Sequence, residues 1–241
     1  METGSAPAQR VRVGDVISET FSIYRENAAS LLISAAAVFI VVGVLSALLQ
    51  NAGGLVLALL AGAIRLAGHA LYTGFVVKLV QDMRDGRRDE TVGDLFSAAA
   101  PAILPLIGFG ILFAIGVAIG FVLLIVPGLI LLTMWSVGAP AIVVERVGAV
   151  DAFGRSWRLV RGEAWSVFAT LLVVLLIVIA IGVVLGVLAT PIGDGEVATY
   201  VAAIISSVIT APVFALAVTI MYYDLSSDEA QPGSVAPPSG V

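Results

Sequence analysis

The chain of 241 residues contains no cysteine, one histidine (His69), and charged side chains at only 12% of its positions. The missing thiol excludes disulfides, thiolate metal sites, S-palmitoylation and a lipoprotein anchor. One histidine without cysteine leaves no transition-metal site, so neither a metal nor a cofactor is expected. A water-facing domain ordinarily carries about 25% charged residues. Here 60% of residues are hydrophobic and the mean hydropathy is +1.09. Such a chain cannot cover a surface facing water, so lipid must be its solvent. Acidic residues are also missing from the interior of every long apolar run. The net charge of −5 resides in tails and loops, for example at Asp228 and Glu229, and offers nothing to nucleic acid.

Six apolar runs are present: Ala28–Leu49, Leu55–Val80, Pro101–Val126, Gly128–Val144, Trp165–Ala189 and Val197–Tyr223. About 20 apolar residues suffice to cross a hydrocarbon core of about 30 Å. A backbone in lipid must bond to itself, which requires helices or a closed barrel. Continuous runs without two-residue alternation exclude the barrel. The expected fold is therefore all-α: a polytopic membrane bundle of six transmembrane helices. Pro140 should kink the fourth and shortest run. The expected division is a disordered stretch 1–12, a six-span membrane domain 13–225, and a disordered tail 226–241 rich in Pro, Ser, Gly and Ala. A polar stretch of more than twenty residues precedes the first run, which reads as an uncleaved signal anchor.

Eleven of the twelve Lys and Arg residues fall into three polar islands: Arg10, Arg12 and Arg25; Lys78, Arg84, Arg87 and Arg88; Arg146, Arg155, Arg158 and Arg161. The connections Gln50–Gly54, Pro127–Gly128 and Thr190–Glu196 carry none. Positive loops stay in the cytoplasm, so both termini are expected there, in a bacterial plasma membrane.

The islands resemble one another. Val13-Gly14-Asp15-Val16-Ile17-Ser18 is similar to Val92-Gly93-Asp94-Leu95-Phe96-Ser97, and Val150-Asp151-Ala152-Phe153-Gly154 is a weaker third copy. Each precedes an outward run, and each returning run ends near an acid (Asp82, Glu145, Asp224). Three repeats of short helix, span, span are expected. The plainer alternative is that any helix start favours Asp and small residues. The short helices are amphipathic. Val13, Val16, Ile17, Phe21 and Tyr24 share a face in the first, and Phe153, Trp157 and Val160 form a stripe in the third. They should lie in the membrane interface. There Arg155, Trp157, Arg158 and Arg161 form a candidate surface for phospholipid headgroups or a docking partner, or simply anchor the bundle.

Arg65 is the only cation near the middle of an apolar run; Lys78 stands at the end of the same run. It stands about ten residues into its span, about 15 Å deep. A charge at that depth costs at least about 2.5 kcal/mol and marks a functional site by default. His69 and Tyr72 follow on the same helix face. Arg65, His69 and Tyr72 are the candidate ligand-binding residues, facing a cavity that holds a phosphate or carboxylate. The alternative is a structural arginine, snorkelling or bonded to backbone near Pro140. Hydroxyls for it are available at Thr133, Ser136, Ser206, Ser207 and Thr210. Gly116–Gly120 and Gly182–Gly186 are GxxxG pairs suited to close helix packing within the bundle or in a homo-oligomer.

No catalytic residue emerges. Ser156 does not sit in a GxSxG elbow, and no Walker lysine motif occurs. Asp82, Asp85-Gly86 and Asp89 lack the rest of the acidic motif of CDP-alcohol phosphotransferases. Gly193-Asp194 lacks the second span-borne Asp of the intramembrane aspartyl proteases.

Pro127-Gly128-Leu129 through Trp135, Pro140-Ala141-Ile142-Val143-Val144-Glu145, and Ala152-Phe153-Gly154-Arg155-Ser156-Trp157 with Leu159-Val160-Arg161-Gly162 resemble a known family. It is the membrane-domain family of the glycerophosphoryl diester phosphodiesterases. Gly14-Asp15-Val16, Phe21 and Tyr24-Arg25-Glu26-Asn27 fit it too, and the similarity spans most of Val13–Leu225. A catalytic TIM barrel needs about 250 residues, which do not follow the sixth run. The resemblance thus implies a lipid-related membrane module without the hydrolase, and no catalytic residue carries over. The expected protein is a non-enzymatic scaffold or accessory module in envelope or lipid handling. The alternative is a small transporter or lipid translocator with a cavity around Arg65 and His69. Expected partners are membrane lipids, with a membrane-protein partner or a second copy as further candidates.

Overall fold

In the computed structural model, residues 11–86, 91–189 and 195–229 are described. They form α1 (Val13–Glu26), α2 (Ala28–Asn51), α3 (Leu55–Arg84), α4 (Val92–Ala99), a 3₁₀ turn (Ala100–Ala102), α5 (Ile103–Leu123), α6 (Ile125–Met134), α7 (Gly138–Glu145), α8 (Ala149–Val160), α9 (Ala164–Ala189) and α10 (Glu196–Glu229). No strand occurs among the described residues. Six segments are long and apolar enough to cross a membrane: α2, α3, α4 with α5, α6 with α7, α9 and α10. The protein is an all-α multi-pass membrane bundle.

The element order runs short helix, span, span three times over. Asp15, Asp94 and Asp151 each occupy the third position of their short helix. A carboxylate there meets unpaired backbone N–H groups and the positive end of the helix dipole. In α4 it completes a capping box: Asp94 N donates to Thr91 Oγ1 at 3.3 Å, and Thr91 N donates to the Asp94 carboxylate at 3.1 Å.

Two boundaries differ from the sequence reading. The turn between the third and fourth spans falls at Leu124, whose backbone is extended, and not at Pro127–Gly128. Pro127 instead sits in the first turn of α6, where its missing N–H costs nothing. The fourth span does not merely bend at Pro140. It breaks over Trp135–Val137, because Pro140 cannot donate to the Ser136 carbonyl and its ring crowds that group.

The short helices also pack differently from expectation. Val16 and Ile23 of α1, Leu95 of α4, and Leu159 and Val160 of α8 are buried in the bundle's own core and do not dip into lipid. Phe21 and Trp157, assigned above to the apolar faces, are 42% and 41% exposed. The buried stripe of α8 is Ala152, Ser156, Leu159 and Val160, with the Ser156 hydroxyl donating to the Met134 carbonyl at 2.8 Å. Val11, just before α1, is 1% exposed, and α10 runs through Glu229. The rest of the expected tails, Arg87, Arg88 and Asp89, and Gly193-Asp194 lie outside the described residues.

α3 and α10 run through the centre, in contact with α2, α7 and each other. Their buried side chains concentrate in the half that also carries α1, α4 and α8: Tyr72, Phe75 and Val76 from α3, and Leu216, Ile220 and Met221 from α10. We call this the charged end. In the other half, the uncharged end, most of α3 up to His69 and of α10 before Pro212 is exposed or half-buried.

Candidate functional site

A cavity of about 290 Å³ lies between α2, α3 and α10. Its walls are three helix faces read at helical spacing. α3 contributes Arg65 and His69. α2 contributes Phe39, Val42, Gly43, Ser46 and Gln50. α10 contributes Tyr200, Ala203, Ile204 and Ser207, with Thr199 beside them. The helices converge at the cavity's wall because glycines face bulky partners. A Cβ on Gly43 would stand 2.6 Å from Ile204, and one on Gly68 would stand 2.5 Å from Val42.

The electrostatics of the site are one-sided. Arg65 makes no hydrogen bond or ion pair among the described residues, and no bond ties it to the break before Pro140. None of the lining residues is acidic. Three of the polar ones are committed to backbone. The Ser46 hydroxyl donates to the Ala61 carbonyl at 3.3 Å, the Gln50 amide to the Ser46 carbonyl at 3.0 Å, and the Thr199 hydroxyl to the Gly195 carbonyl at 3.3 Å. His69 contacts the Phe39 ring, with centroids 4.9 Å apart. A guanidinium stays charged in any protein environment, so the cavity holds a fixed positive charge.

Tyr72, grouped with Arg65 and His69 by spacing, does not line the cavity. It is 1% exposed and its hydroxyl donates to the Leu31 carbonyl at 3.1 Å, pinning α3 to α2. Phe39 bridges the two, 5.3 Å from Tyr72 by ring centroids. Of the five hydroxyls offered as partners, only Ser207 reaches the cavity. Thr133, Ser136 and Thr210 donate to their own helix turns. Ser46, Gln50 and Tyr200 were missed. Their signal is the repeat of lining positions along α2 and α10, which a uniformly apolar span conceals.

At the charged end the basic residues have separate fates. Arg155 Nε donates to both oxygens of Glu145 at 2.7 and 2.9 Å, and its Nη1 pairs with Glu229. The Tyr222 hydroxyl donates to the same Glu145 at 2.7 Å. Burial alone would lower the Arg155 pKa, but these carboxylates raise it above its ordinary value. Arg84 pairs with Glu19 at 2.9 Å and lies over the Tyr223 ring at 4.7 Å. Arg155 is thus a tie between α7, α8 and α10 rather than a free headgroup cation. Trp157, Arg158 and Arg161 remain exposed.

Residues 11–225 match the family described as a domain of unknown function, DUF7847. The chain belongs to that family, and its own fold is that of a helical multi-pass membrane protein. A stretch of 97 residues is 31% identical to a UPF0259 membrane protein of Pectobacterium carotovorum subsp. carotovorum. It covers 40% of this chain and 38% of that bacterial protein, so the chain spans about two fifths of the relative's length. No solved structure matches the chain. The family shown is therefore this one, and the narrower resemblance to the phosphodiesterase membrane domains is not what the match identifies.

Proposed function

We propose that the protein is a non-enzymatic lipid-handling module of the plasma membrane that binds an anionic amphiphile in the Arg65–His69 cavity. The observation that carries this reading is the Arg65 guanidinium, which has no partner among the described residues and faces a cavity without an acidic lining side chain in the midst of a span. An ion there costs at least about 2.5 kcal/mol unless an anion or water compensates it. The resemblance to phosphodiesterase membrane domains supports the lipid-related part. The distribution of Lys and Arg supports a cytoplasmic charged end, with both termini on that side. A scaffold role has its own support in the exposed Trp157, Arg158 and Arg161, which suit anionic lipid or a membrane-protein partner.

Thermal unfolding in a neutral maltoside detergent tests the cavity reading. A ligand that binds only the folded state raises the midpoint. Dodecyl phosphate or laurate should raise it for the wild type and leave Arg65→Leu unmoved. Equal shifts in both proteins would remove the cavity from consideration.

A further inference from the structure

Resting on the reading above, we infer that the ligand is a lipid with a phosphate headgroup, which enters the cavity while the acyl chains stay in the bilayer. The first argument is the donor set. Arg65 and His69 from α3, and Tyr200 and Ser207 from α10, line the cavity and make no hydrogen bond among the described residues. The guanidinium alone presents five N–H donors in a planar fork, and the imidazole and two hydroxyls add one each. Donors that line one cavity from two helices suit an acceptor with several oxygens in three dimensions. A phosphate provides that and matches the guanidinium fork bidentately. A carboxylate offers only two oxygens in one plane.

The second argument is size. Sites that enclose a drug-sized molecule run from about 300 to 1,000 Å³. At about 290 Å³ this cavity accommodates a headgroup but not two acyl chains. The third is position. Gln50 lies in the last turn of α2 and Thr199 in the first turn of α10, so the cavity reaches toward the uncharged end. Exposed Leu45 on α2, and Val201 and Ile205 on α10, each adjacent in sequence to a lining residue, offer apolar surface for the chains.

The test is native mass spectrometry of the full chain released from detergent with defined lipids. Dioleoyl phosphatidic acid and phosphatidylglycerol should remain bound to the wild type. Their apparent affinity should fall at least tenfold in Arg65→Leu. The Tyr200→Phe/Ser207→Ala double variant removes two hydroxyls without touching the charge, and it should lose affinity as well. It also serves if Arg65→Leu does not fold. Displacement of the lipid by inorganic phosphate at equal concentration would make free phosphate the ligand and overturn the lipid assignment. Palmitate binding as tightly as phosphatidic acid, still dependent on Arg65, would overturn the phosphate assignment and leave the anion-binding reading standing. Lipid binding unchanged in both variants would overturn both.

Discussion

The Arg155 guanidinium bonds two carboxylates, and the Tyr222 hydroxyl donates to the same Glu145 oxygen that Arg155 Nε does. Its side chain is 16% exposed and that of Glu145 is 27% exposed, so this tie is screened less than a surface pair. Hydrogen bonds to charged groups contribute about 1.5–3 kcal/mol when partly buried. Arg155→Ala should therefore lower unfolding stability by about 1–3 kcal/mol. Tyr222→Phe, which leaves the ion pair, should lower it by about 1 kcal/mol. Denaturant titration in detergent, with the double variant closing the cycle, measures the coupling. Full additivity would mean that the two groups hold Glu145 independently.

At the scale of helices, the two GxxxG pairs part company. Gly116 and Gly120 carry the approach of α5 to the fourth span. A Cβ on Gly116 would meet the Trp135 ring at 2.5 Å, and one on Gly120 would meet the Gly128 Cα at 2.9 Å. The second clash is with backbone, which no side-chain rotation relieves. Gly120→Ala should therefore destabilise the bundle by about 1–3 kcal/mol, the range for overpacking. A Cβ on Gly186 would meet nothing within 4 Å among the described residues. Gly186→Ala should therefore cost the monomer no stability and, by helix propensity, raise it by no more than about 1 kcal/mol. Both substitutions are read in one assay. If Gly186→Ala were the more harmful, α9 would have a partner at that glycine.

For the whole molecule, the absence of cysteine makes topology directly measurable. Asn51→Cys, next to the Gly53–Gly54 turn of positive φ, should react with a membrane-impermeant maleimide added to intact cells. Ser18→Cys, on the exposed side of α1, should react only after permeabilisation. The reverse pattern would invert the proposed orientation and put the charged end outside. The same charged end holds most of the core. Tyr72, Phe75, Leu216 and Ile220 are buried there, while the uncharged half is looser and contains the cavity.

Class and the number of spans follow from the amino-acid sequence alone. Apolar length and the self-bonding demand of a backbone in lipid leave one architecture, and those terms are local. It also made the helix starts legible, because an acid at the third helical position acts within one turn. It singled out Arg65, since a charge is conspicuous against an apolar span. It could not show which residues face Arg65. Ser46 and Gln50 on α2, and Tyr200 and Ser207 on α10, are brought to it by the crossings of three helices. Those crossings depend on contacts such as Gly43 with Ile204 and Gly68 with Val42, between residues far apart in the chain. Nor could it separate Arg155 from Arg158 and Arg161. All three share one short helix and its end, and only the packing of α10 beside α7 and α8 decides which finds two carboxylates.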